Sequence, residues 1–207
     1  MSEVGFYAHR ILPRLIDLGM RQSRLVPLRE HLIALAAGRI LEVGIGSGLN
    51  LPFYRRDIEG VIGVDPSPEL LARARRNAAW THFPVQLLEG RAEALPVEDG
   101  AVDSVVMTWT LCSVDDPLRA LAEIRRALRP GGSLIFIEHG RAPEPRIQRW
   151  QDRLNPCWSR FAGGCNLNRP VDALLRSAGL RLVGLETGYL VKGPKPWTFH
   201  YRGQASV

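Results

Sequence analysis

The stretch "ILEVGIGSGLNLPFY", residues 40–54, decides the architecture. Its aliphatic, β-branched start reads as a buried strand, and Gly44-x-Gly46-x-Gly48 reads as a sharp turn into a helix. A helix start presents free N–H groups and the positive end of a dipole, so a ligand on this turn is the first expectation. Several nucleotide-binding families share that much.

Outward from this turn, strand and helix alternate. "RILEV" and "GVIGVD" read as buried strands, and "SPELLARARRNAAW" as a helix with Ser67 placed to cap it and Pro68 at its first position. "VQLLE" and "AVDSVVMTW" are the third and fourth strands. "DPLRALAEIRRALRPGG" reads as a helix capped by Asp116, with Leu118, Leu121, Ile124 and Leu128 on one face and Pro130-Gly131-Gly132 as its stop. "SLIFIEH" is the fifth strand. Residues 143–169 look less regular, and a helix, "PVDALLRSAG", and two strand-like runs, "LRLVGLE" and "WTFHYRG", complete the chain. Strands separated by helices imply parallel pairing with right-handed crossovers, hence a doubly wound α/β sheet. Its ligand lies beyond the carboxyl ends of the strands, where strand order reverses. That rule selects residues 42–50, Asp65, 89–93, 108–113 and 138–141.

The 207 residues divide into an N-terminal amphipathic helical segment, 1–37, and one domain, 38–207. In the segment, Leu12, Leu15, Ile16 and Met20 recur at helical spacing among Arg10, Arg14, Arg21, Arg24 and Arg29, while Pro13 and Pro27 should break it into short helices. It could lie on a membrane surface, lid a site, or simply pack on the domain. No apolar run reaches the roughly 18–20 residues of a spanning helix, and the start lacks the form of a secretory signal. The protein is therefore expected in the cytoplasm, with peripheral contact at the inner membrane surface as an extension. Net charge is +6; this suggests an anionic partner or only aids solubility. Cys112, Cys157 and Cys165 are odd in number and lack Cys-x-x-Cys spacing, which argues for reduced thiols and against a disulfide framework or a zinc site.

A dinucleotide fingerprint requires Gly-x-Gly-x-x-Gly. Here Glu42 precedes a Gly-x-Gly-x-Gly turn, and a carboxylate there would repel a pyrophosphate but suit an ammonium or sulfonium group. Asp65, at the end of the second strand, can accept both ribose hydroxyls, as it would for NAD or S-adenosylmethionine; capping the next helix is its plainer reading.

"ILEVGIGSG", "GVDPSPELLARAR", "AEALPVEDGAVDSVVM" and "EIRRALRPGGSLIFIEH" together resemble the successive motifs of class I S-adenosylmethionine-dependent methyltransferases, over residues 38–140. The resemblance implies a Rossmann-like, mostly parallel seven-stranded sheet with its last strand antiparallel. It implies S-adenosylmethionine as cofactor, with Glu42, Gly44, Gly46 and Gly48 around its methionyl part and Asp65 on its ribose. Adenine would lie near Pro66, Ser67, Arg91, Ala92 and Glu93, although Arg91 stands where many relatives carry an Asp. Thr108 and Leu111 match the segment that passes beneath the transferable methyl.

Methyl transfer is an in-line displacement at an activated sulfonium, so alignment and a dry pocket matter more than a nucleophile or metal. "TLCSVDDP", "EHGRAPE" and "WQDRLNPCWSRFAGGCNLNRP" resemble small bacterial relatives of the animal methyltransferase-like thiol S-methyltransferases. At the ligand edge His139 is the candidate acid or base, and Glu138 could orient it or bind an acceptor; satisfying loop backbone groups is the competing reading for both. Cys112 and Cys165 could cluster with His139, but cysteines in apolar segments are more often core residues. Asn166 and Asn168 are candidate polar contacts in the acceptor pocket, and Trp109, Cys112, Trp150, Trp158 and Tyr189 candidate walls, each also readable as core.

These readings converge on methylation of a small lipophilic acceptor, a thiol sulfur first. A phospholipid N-methyltransferase at the membrane surface and a quinone C-methyltransferase are the alternatives. A cofactor-binding module without the reaction is the competing class, and the aromatic-basic interleaving of RNA readers is missing, so no nucleic acid is expected.

Overall fold

The computed structural model describes residues 11–207. The first ten residues of the N-terminal segment, Arg10 among them, lie outside that range. Helix α1 (Leu12–Met20) and helix α2 (Val26–Ile33) precede the sheet, joined by a 3-10 turn at Ser23–Leu25. The segment is broken into short helices as expected, with Pro13 and Pro27 in their first turns, where a missing N–H costs nothing.

The sheet comprises β1 (Arg39–Val43), β2 (Gly60–Asp65), β3 (Val85–Glu89), β4 (Val102–Thr108), β5 (Leu128–His139), β6 (Arg181–Tyr189) and β7 (Phe199–Ser206). Spatial order is β3-β2-β1-β4-β5-β7-β6. β1 through β5 pair in parallel, and β7 runs antiparallel between β5 and β6. The strand order expected of the class is therefore present, including the one reversed strand. It reverses at the β1/β4 junction, which places the ligand crevice over the ends of those two strands.

The crossover helices are α3 (Pro68–Ala78), α4 (Pro117–Ala127), α5 (Pro145–Phe161) and α6 (Val171–Ser177), and α7 (Lys195–Thr198) is a single turn before β7. Ser67 caps α3 by accepting the Leu70 N–H, and Asp116 caps α4 by accepting those of Leu118 and Arg119. Leu121 and Ile124 of α4 are fully buried, but Leu118 is largely exposed and Leu128 already begins β5. Pro130-Gly131-Gly132 lies within β5, where pairing with β4 slips register, instead of forming a terminal loop.

The segment 143–169 departs most from expectation, because most of it is the 17-residue helix α5. Pro156 inside it removes one intrahelical N–H, which hides the helix from a breaker-based reading. Tertiary bonds compensate: the buried Gln151 amide accepts from Ala142 N–H and donates to the carbonyls of Gly140, Leu167 and Pro196. Two apolar layers flank the sheet. One packs α4 and α6 against Val105, Met107, Leu134 and Phe136; the other packs α2, through Leu28, Leu32 and Ile33, against Ile40, Val106, Ile135 and Ile137.

Candidate active site

Gly44, Gly46 and Gly48 all adopt positive φ, at 73°, 55° and 78°. The reasons differ. A Cβ on Gly44 would collide with the Thr110 side chain, and one on Gly48 would press on Leu51 and Ala74, whereas one on Gly46 would meet nothing within 4 Å. The turn is thus packed at its ends and open at its middle.

Two buried carboxylates flank the turn. Glu42 is only 1% exposed and takes a 2.8 Å bond from Asn50 Nδ2 on one oxygen and a 2.8 Å bond from the Tyr54 hydroxyl on the other. Arg29 holds Asn50 from behind through Nε, at 3.0 Å, and its guanidinium stacks 4.9 Å from the Trp109 ring centroid. Burial raises the Glu42 pKa to about 7, more than its hydrogen bonds and Arg29 lower it. Asp65 accepts the Gly46 and Ser67 N–H groups at 2.9 Å, one on each oxygen, and burial raises its pKa too. Each carboxylate oxygen keeps a free lone-pair direction. A middle glycine with room beside it and two buried carboxylates are the features expected around a cationic adenosine ligand.

At the expected adenine side, Pro66 is exposed and Ala92 buried, while Arg91 pairs in solvent with Asp115 and Glu93. Glu93 also accepts the N–H groups of Asp115 and Asp116, so it fixes the loop leading to α4.

The segment after β4 is held from three sides. Thr108 Oγ1 accepts from Asn50 at 2.9 Å; Arg169 donates to the carbonyls of Leu111 and Val114; and Glu138, fully buried, accepts the N–H groups of Thr110 (2.7 Å), Leu111 (2.9 Å) and Cys112 (3.3 Å). The pair Glu138 and His139 therefore divides. Glu138 organises the loop backbone, and His139 turns its ring toward Cys165, with Nε2 3.3 Å from Sγ. Trp109 has φ of 51°, a strained conformation for a bulky residue, and lies edge-on to the His200 ring at 6.2 Å.

Cys112 and Cys165 do gather with His139: Sγ, Sγ and Nε2 all lie within 4.8 Å of one another. The hydrogen bond between the thiols, with His139 adjoining, draws Cys165 below the ordinary thiol range and pushes the buried Cys112 above it. Trp158 Nε1 donates to Cys165 Sγ at 3.3 Å and lies edge-on to Trp197. Asn166 is occupied by the carbonyls of Cys112 and Gly164 and by Asn155, and Asn168 donates to Asp152. Tyr189 donates to Glu144 at 2.6 Å beneath Lys195, and Trp150 is exposed on α5. Asn50, Tyr54, Arg29, Thr110 and Cys165 carry more of the site than sequence reasoning assigned them. Asn50 and Tyr54 were within the opening stretch, and a polar residue between two leucines, Leu49 and the buried Leu51, is the signal that could have marked Asn50.

The methyltransferase-domain family matches residues 41–136. A human (Homo sapiens) thiol S-methyltransferase, TMT1A, is 35% identical over 165 residues, covering 76% of this chain and 65% of that protein. A phosphatidylethanolamine N-methyltransferase of Cereibacter sphaeroides is 38% identical over 104 residues, covering 49% of this chain and 51% of that one. The chain thus spans less than two thirds of the length of these curated relatives. A solved S-adenosylmethionine-dependent methyltransferase of Thermotoga maritima superposes with a TM-score of 0.62 at 26% identity, over 94% of this chain and 97% of that one. Sequence likeness that begins at the glycine turn and fold likeness across nearly the whole chain agree: residues 41–136 match the methyltransferase domain, and the chain has the fold of the S-adenosylmethionine-dependent methyltransferases.

Proposed function

We propose that this chain methylates the sulfur of a small lipophilic thiol. The observation that carries the reading is the chemistry of the acceptor edge beside its likeness to thiol S-methyltransferases. Cys112 and Cys165 stand with His139 there, Trp158 donates to Cys165, Trp109 lies edge-on to His200, and Glu138 is engaged by three backbone N–H groups. An amine acceptor arrives as a cation and must lose a proton to a base before its lone pair can attack, whereas a thiol is already partly ionised near neutrality. The cofactor supplies an activated methyl on a sulfonium. Glu42 and Asp65 hold and orient its charged and ribose parts, the strained Trp109 segment lines the path to the acceptor, and the aromatics exclude water. A thiol ionises partly near neutrality, so His139 assists without being indispensable.

The test is release of S-adenosylhomocysteine with alkyl and aryl thiols in one arm and phosphatidylethanolamine vesicles in the other. Turnover on thiols is expected; turnover confined to the vesicles would replace this reading with phospholipid N-methylation. The second reading has one structural observation in its favour, the outward apolar side of α1, where Leu15 and Leu18 are 53% and 69% exposed.

A further inference from the structure

We propose that Cys112, His139 and Cys165 bind a zinc ion whose fourth position takes the acceptor's sulfur, a site that deepens the thiol reading and rests on it for the identity of the fourth ligand. The three residues come from the loop after β4, the end of β5 and the loop after α5, so no contiguous motif announces them. Cys-x-x-Cys spacing is absent, but donors gathered by the fold from two loops and a strand end do not require it.

The three donors are close enough for small side-chain rotations to bring them onto one face of a tetrahedron. Zinc–sulfur bonds of about 2.3 Å and zinc–nitrogen bonds of about 2.0 Å give N···S edges of about 3.5 Å and S···S edges of about 3.8 Å. His139 Nε2 and Cys165 Sγ stand 3.3 Å apart, and all three donors fall within 4.8 Å. Two thiolates and a neutral imidazole are a ligand set zinc favours, and three protein ligands leave one position for an exchangeable fourth.

The surroundings hold the donors in place. Glu138 accepts the Cys112 N–H, and Asn166 ties both cysteine-bearing loops by donating backbone and side-chain N–H groups to the Cys112 carbonyl, at 2.8 and 3.1 Å. The Trp158 indole N–H on Cys165 Sγ is the kind of outer contact that steadies a metal-bound thiolate. Cys112 and His139 are buried, but Cys165 is only partly covered and is preceded in the chain by the exposed Gly163 and Gly164, so access is from its side. A thiol entering there would lose its proton to water as its sulfur joins the metal. The zinc would then hold the thiolate at the acceptor edge, and His139 would serve as a ligand instead of a proton acceptor.

The full chain, purified without chelator and reduced, should carry about one zinc per molecule by elemental analysis. Replacing zinc by cobalt(II) should give a thiolate-to-cobalt charge-transfer band and the strong visible bands of a four-coordinate site. C165S and H139A should each weaken metal binding at least tenfold against a chromogenic chelator, whereas C157S, an exposed cysteine outside the cluster, should not. Binding of S-adenosylhomocysteine by calorimetry verifies that each variant is folded. Ethanethiol should shift the charge-transfer band. Zinc-free protein after reconstitution, metal retained undiminished in C165S, or recovery of a Cys112–Cys165 disulfide would overturn the site, and a cobalt spectrum unmoved by ethanethiol would overturn the open fourth position. None of these readouts uses turnover, so failure of the metal site and failure of thiol methylation are separately visible.

Discussion

Glu42 is the residue whose protonation the cofactor should feel most directly. Its folded pKa is near 7, raised by burial above the ordinary 4.5. The folded protein therefore keeps a proton that the unfolded chain has lost between these values, and this group's contribution to stability declines as pH rises from about 4.5 to about 7, then levels off. A cationic ligand selects the carboxylate, so cofactor affinity runs the opposite way and rises with pH to a plateau above about 7. One unit below that pKa the affinity should fall about tenfold, and calorimetry in buffers of different ionisation enthalpy should show a proton released on binding. In Glu42→Gln both the pH dependence and the released proton should vanish; an unchanged profile would remove Glu42 from the site. The strand-and-turn geometry that carries Glu42, the glycines and Asp65 was legible because each belongs to one local pattern. Their partners were less so: Asn50 and Tyr54 reach Glu42 across the turn, and Arg29 arrives from another helix, contacts that periodicity does not encode.

At the scale of elements, apolar runs and capping residues marked the seven strands and helices α3, α4 and α6, because burial and caps are local properties. α5 escaped because Pro156 interrupts it and Glu144 at its start makes no capping bond. What fixes it is the Gln151 side chain, bonded to residues 9 to 45 positions away. The β4 loop depends on a similar device, Glu138. Glu138→Gln leaves one oxygen for the Thr110 and Leu111 N–H groups and turns an amide donor toward that of Cys112. A buried donor without a partner costs about 1–3 kcal/mol, which urea unfolding should report as a lower midpoint with an unchanged slope. A variant as stable as the parent yet inactive would instead make Glu138 a catalytic group.

For the whole molecule, the basic N-terminal segment is where the sequence pattern and the packing part company. α1 turns its polar side inward: buried Asp17 bonds Ser47 of the glycine turn and pairs with Arg73 of α3 at 2.7 Å and Arg21 at 3.0 Å. Ile11, Leu15, Ile16 and Leu18 are left outward, beside Arg14, Arg21 and Arg24. A helix held to the cofactor turn by a carboxylate, with leucines and arginines facing water, is suited to rest on an anionic lipid surface. No helix among the described residues is long and apolar enough to cross one. Burying a leucine side chain in lipid contributes up to about 1.5–3 kcal/mol, so replacing Leu15 and Leu18 together by glutamate should reduce partitioning onto anionic vesicles by at least about tenfold. The Asp17 anchor stays intact in that variant, and soluble thiols should be methylated as before. If vesicle binding were unaffected, the outward face would have no membrane role. If turnover on soluble thiols fell with it, α1 would act as a lid whose surface the acceptor itself must cross.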